Sequence, residues 1–91
     1  MVILKMKAVE VFYKFKMQYI ANRISLSEDL CNGKPTIRGQ RISVQTILEF
    51  LGAGESKEEI LKQYPSLEIE DIYACIQFSV DLLKNNFQIK Q

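Results

Sequence analysis

From Val44 onward the apolar positions recur every three or four residues. Val44, Ile47, Leu48 and Leu51 mark one face of a helix over about 44–52. Ser43 precedes it as an N-cap, and Gly52 or Gly54 can close it in the left-handed conformation. "SKEE" opens a second helix over about 56–64, with Ser56 and Glu59 at the spacing of a capping box. Ile60, Leu61 and Tyr64 form its buried side, and Pro65 stops it. A third helix runs over about 68–86, with Glu70 and Asp71 in a first turn where the helix dipole favours acids. Ile72, Ile76, Val80 and Leu83 predict its core stripe, broadened by Tyr73, Phe78 and Phe87. That is more apolar surface than one small core needs, so Tyr73 and Phe78 are candidates for a homodimer interface.

Upstream of Val44 the period shortens toward two. Residues 19–27, "YIANRISLS", predict a strand whose alternation is clean from Arg23 to Ser27. "SEDLCNGKP" is a loop around an Asn-Gly pair. "PTIRGQRIS" predicts a tight hairpin, with Gly39 at the first central position of a type II′ turn. Ile37 then faces Ile42 toward the core, Thr36 faces Ser43, and Arg38 and Arg41 share the opposite face. Residues 1–16 fit either a strand or a helix: "VEVFYKF" partly alternates, while Val2, Met6, Val9 and Tyr13 keep a helical spacing. They read as an N-terminal extension to a single domain over 17–91.

Two short helices, a glycine-containing turn and a longer third helix predict a mainly α fold. It is a tri-helical bundle of helix-turn-helix type, preceded by short N-terminal β-strands and a hairpin. In that class the last helix can enter the major groove of DNA. Its N-terminal end here carries Glu68, Glu70 and Asp71, which oppose phosphate binding where base contacts would be made.

Composition narrows the chemistry. Ninety-one residues, 47% of them hydrophobic, suit one modest core. Lys5, Lys7 and Glu10 interrupt any leader or membrane-spanning run at the start, so a cytoplasmic protein is expected. The chain has no histidine. Ser-His and Cys-His nucleophile pairs are therefore excluded, no catalytic residue stands out, and a non-enzymatic role is expected. Cys31 and Cys75 have no neighbouring metal-ligand pattern and read as small buried residues, with no metal or other cofactor implied.

Charge is lopsided. Residues 1–42 carry eight Lys or Arg against three acids, and residues 43–91 carry four against eight, within a net +1. Such asymmetry suits a polar protein partner or head-to-tail self-association better than uniform nucleic-acid binding. Lys34, Arg38 and Arg41 form the densest basic group and are candidates to bind a partner or an anion. Two arginines opposed on a hairpin call for a neutralising group. Glu49, Asp71, an acid of a second copy, a partner carboxylate or a phosphate would each serve. Gly33, Pro35, Gly39 and Gly54 read as backbone geometry, since no phosphate-loop context surrounds them.

Several blocks in order carry a resemblance. They are Gly33-Lys34-Pro35, Ile37-Arg38-Gly39-Gln40-Arg41-Ile42, Ala53-Gly54-Glu55-Ser56 and Glu58-Glu59-Ile60-Leu61-Lys62-Gln63-Tyr64-Pro65. From about Tyr19 to Leu83 the chain resembles the prokaryotic family called domain of unknown function 433. The resemblance implies a homeodomain-like tri-helical fold preceded by short strands. It further implies, for some members, an antitoxin role: a toxin of nuclease-like PIN architecture is bound and restrained, and operator DNA is a second ligand. The basic hairpin and the N-terminal strand are the candidates for docking on an acidic toxin site. A DNA-binding regulator and an interaction module with another partner are the alternatives.

Overall fold

The computed structural model describes residues 17–86. The strand-or-helix question over 1–16 and the place of Phe87 lie outside the described residues. Three strands come first: β1 (Met17–Ala21), β2 (Ile24–Ser27) and β3 (Thr36–Ile37), forming one antiparallel sheet in the order β1-β2-β3. Three helices follow: α1 (Val44–Gly52), α2 (Lys57–Gln63) and α3 (Ile69–Asn86). No helix among the described residues is long and apolar enough to cross a membrane.

The expected single strand over 19–27 is instead a hairpin. Ala21 pairs with Ile24, and the chain reverses through Asn22 and Arg23, with Arg23 at φ 63°. Asn22 suits such a reversal, but no glycine announces it. The break in alternation before Arg23 was its trace in the sequence.

The second turn also differs from expectation. The Gln40 amide donates to the Ile37 carbonyl at 2.8 Å, so Arg38 and Gly39 are the central pair. Both have positive φ, 46° and 71°, as a type I′ turn requires. Gly39 therefore sits second in the turn rather than first. The facing pairs are as expected: the Ile37 amide donates to Ile42, and Thr36 bridges Ser43.

Between the hairpins, Cys31, Asn32 and Gly33 form a 3-10 turn in which all three residues have positive φ. Asn and Gly tolerate this readily, but for Cys31 it is strained backbone. Cys31 is half-buried, whereas Cys75 is fully buried as expected.

The helix caps follow the local sequence. Ser43 Oγ accepts from the Thr46 amide at 3.0 Å. Ser56 and Glu59 exchange both hydrogen bonds of a capping box. At the end of α1, Gly54 adopts φ 95°, its amide donates to Leu51, and the Glu55 amide donates to Phe50. Those two bonds are a Schellman closure. Phe50 then meets Tyr64 with ring centroids 6.1 Å apart, tying the end of α1 to the end of α2.

The core joins sheet to helices through Ile24, Ile37, Ile47, Ile60 and Ile72, all fully buried, with Val44, Leu67, Ala74 and Cys75 around them. Each such isoleucine contributes about 1.5–3 kcal/mol relative to exposure. The expected stripe of α3 splits. Ile72 enters the core together with Cys75, while Ile76, Val80 and Leu83 are exposed. Ser25 and Thr36, polar and buried, pair across β2 and β3 with their hydroxyls 3.1 Å apart. The Gly39 amide donates to Ser25 Oγ at 2.8 Å, so this pair also anchors the second turn.

Candidate functional site

The two hairpin turns each lend an arginine to one carboxylate at the start of α3. Asp71 is fully buried. Its Oδ1 accepts from Arg23 Nη1 and from Arg38 Nε, each at 2.9 Å. Its Oδ2 accepts from Arg38 Nη2 at 2.9 Å and from the Glu68 amide at 2.7 Å. The bond to Glu68 reaches back from the third helical position to the N-cap. Four donors fill the acceptor capacity of an ionised carboxylate. Arg38 also donates to the Ser66 carbonyl at 3.0 Å, and Arg23 pairs with Glu68 at 2.7 Å.

Burial by itself would raise the Asp71 pKa. The Arg38, Glu68 and Arg23 hydrogen bonds outweigh it and hold the carboxyl below its ordinary value. Arg23 is raised chiefly by its bond to the Glu68 carboxylate and then by Asp71, and Arg38 is raised by Asp71. One turn deeper, burial pushes the Cys75 thiol up to about 12, helped by the negative charge of Asp71. A thiol held protonated is a poor nucleophile. Glu59 is lowered by the Ser56 amide and hydroxyl that complete its capping box.

Both arginines of this clamp occupy left-handed turn positions, Arg23 at φ 63° and Arg38 at φ 46°. The clamp therefore holds two reversals that are unfavourable for a side-chain-bearing residue. Asp71 is among the acids considered above as the neutraliser of Arg38. Its second arginine is Arg23, whereas Arg41 is exposed and makes no ion pair among the described residues. Arg38 and Arg41 thus share neither a face nor a counter-charge. Arg23 carried no binding motif to single it out. The available signal was its place at the break in strand alternation, opposite an acid otherwise explained by the helix dipole.

Lys34 is exposed and donates to Gln45 Oε1 at 3.3 Å, beside the first turn of α1. Next to it an apolar groove of about 350 Å³ runs between α1 and α3, lined by Pro35, Val44, Leu48, Phe78 and Leu82, with Gln45 and Glu49 at its polar rim. Phe78 is half-buried there. Tyr73 stands elsewhere, on the exposed side of α3, with Lys57 Nζ 5.0 Å from its ring centroid. The two interface candidates therefore belong to different surfaces. Among the described residues, no His, Cys, Asp and Glu side chains gather in threes as a metal site would require.

Known proteins place this architecture. The chain is 37% identical over 49 residues to the uncharacterized protein y4eO of Sinorhizobium fredii, a match that covers 54% of this chain and 22% of that protein. The chain thus spans about a fifth of that relative's length. A crystal structure of a DUF433 member from Anabaena variabilis superposes with a TM-score of 0.57 at 25% identity, over 93% of this chain and 72% of that one. The family described as "Protein of unknown function (DUF433)" matches residues 24–79, more than half of the sequence, and the chain belongs to that family.

Proposed function

We propose that the protein is a non-enzymatic, antitoxin-like interaction module that binds and restrains a nuclease-like toxin of the PIN type. The observation that carries this reading is the apolar groove between α1 and α3, with Lys34 exposed beside it. An apolar pocket with Glu49 on its rim, and Lys34 held beside that rim by Gln45, fits a protein segment bearing an apolar anchor flanked by polar groups of both signs. Arg41 adds a second exposed cation for an acidic nuclease surface, while Arg38 is engaged by Asp71 and contributes architecture. The raised Cys75 thiol and the absence of histidine favour binding over catalysis. The alternative, a helix-turn-helix regulator in the homeodomain-like manner, would place the start of α3 at the bases. Glu68 and Glu70 are exposed there and repel phosphate.

Co-expression with a nuclease encoded beside this chain tests the reading. The nuclease alone should arrest growth, and this protein should restore it. Leu82→Asp, at the exposed edge of the groove, and Lys34→Glu should each weaken the rescue while the fold is retained. Unrelieved arrest overturns the proposal. A salt-sensitive gel shift on the protein's own promoter would favour the regulator instead.

A further inference from the structure

We propose that α3 pairs with the α3 of a second copy of this chain, antiparallel across a two-fold axis, through Tyr73, Ile76, Val80 and Leu83. These four are 51%, 38%, 38% and 58% exposed in the single chain. Their spacing is three, four and three residues, the repeat of a seam between two supercoiled helices. Ile69, half-buried, extends the spacing by four toward the N-terminus. The seam is separate from the side of α3 that carries Asp71, Ile72 and Cys75 into the core. It is also separate from the groove wall at Phe78 and Leu82. An isolated apolar residue on a surface needs no explanation, but a contiguous stripe of four does.

The choice of a second copy rests on self-complementarity. In an antiparallel pair centred near Gln77 and Phe78, Tyr73 meets the second copy's Leu83, and Ile76 meets its Val80. Each layer then joins a larger with a smaller side chain, and the two-fold axis repeats both layers. The border of the seam carries Glu70, Gln77 and Lys84 at seven-residue intervals. Antiparallel packing sets Glu70 against the second copy's Lys84, twice, with Gln77 near the axis. A parallel pair would set that border against Ile72, Ser79 and Asn86, with no opposite charge to meet. Lys57, over the Tyr73 ring, fixes the aromatic end of the seam.

Sedimentation equilibrium of the full chain provides the test, with helix content and melting followed alongside to confirm folding. The wild type should be a dimer. Val80→Glu, at an exposed position, should shift it to monomer with its circular dichroism unchanged. Glu70→Lys should weaken dimerisation about tenfold at low salt by making both border contacts repulsive. Adding Lys84→Glu to that variant should recover the wild-type affinity. A wild type that stays monomeric at millimolar concentration overturns the proposal, as does a dimer indifferent to Val80→Glu. Failure of the double variant to recover overturns the antiparallel arrangement. A monomer that loses a complex with some other protein through Val80→Glu assigns the seam to that partner, and overturns the self-pairing. Growth arrest left unrelieved by a wild type that is dimeric would count against the antitoxin reading alone.

Discussion

The inward and outward faces of α3 have similar apolar content and opposite fates. Ile72, Cys75 and Ala74 are buried, while Tyr73, Ile76, Val80 and Leu83 meet solvent. Hydrophobicity does not separate them. Asp71 does, because it shares the inward face with Ile72 and Cys75 and fits one place in the molecule, between Arg23 and Arg38. A buried carboxylate with four donors fixes the rotation of the helix about its axis more narrowly than oily contacts can. The wider lesson is that a polar cluster can decide which of two apolar stripes becomes core.

The distinction between the two faces depends most heavily on that carboxylate. Asp71→Ala leaves two guanidinium groups without their counter-charge and the Glu68 amide without its acceptor. A loss of about 3–5 kcal/mol is expected, measured as a fall in the urea midpoint. A loss below ~1 kcal/mol would return the choice of face to the apolar residues. Next in size is the contrast between neighbours on the two faces. Ile72→Ala should cost about 3 kcal/mol, and Ile76→Ala under ~1 kcal/mol when assayed too dilute for any dimer. Equal losses at both positions would place Ile76 in the core.

Smaller effects come from pH. The Asp71 pKa is lower folded than unfolded, so its contribution is present above about pH 4 and is lost as pH falls through the folded value. The Cys75 pKa is higher folded than unfolded, so the opposite holds. Its contribution is present below about pH 8.5 and is lost as pH rises toward the folded value of about 12. Denaturation across a pH series should reveal both arms. Cys75→Ala should flatten the alkaline arm and leave the acid arm in place. An alkaline slope unchanged by Cys75→Ala would trace that arm to other groups.

Much of the fold was legible in the sequence because its signals are local. Ser43, Ser56 with Glu59, and Gly54 each mark a helix end through contacts within a few residues. The pairing of Ile37 with Ile42 follows from the spacing around one turn. Less legible were the features that depend on distant neighbours. Nothing near Arg23 announces Asp71, and Ile76 looks no different from Ile72 until the clamp sets the helix rotation. Ser25 and Thr36 alternate as surface residues do, yet both are buried because each hydroxyl meets the other. The turn at Asn22 and Arg23 was hidden for a simpler reason: a residue with a side chain took the left-handed position that glycine usually signals.

The clamp has a kinetic consequence. Asp71 lies 48 residues from Arg23 and 33 from Arg38, so its ion pairs close two long loops at once. Contacts of that range form after local helices and turns, because chain closure must come first. The clamp should therefore be largely absent from the folding transition state, and its energy should act on the barrier to unfolding. In a chevron analysis, Asp71→Asn is expected to raise the unfolding rate and leave the folding rate near that of the wild type. A slowed folding limb would place the clamp in the nucleus. The small domain then gains lifetime rather than speed from the buried charge of Asp71.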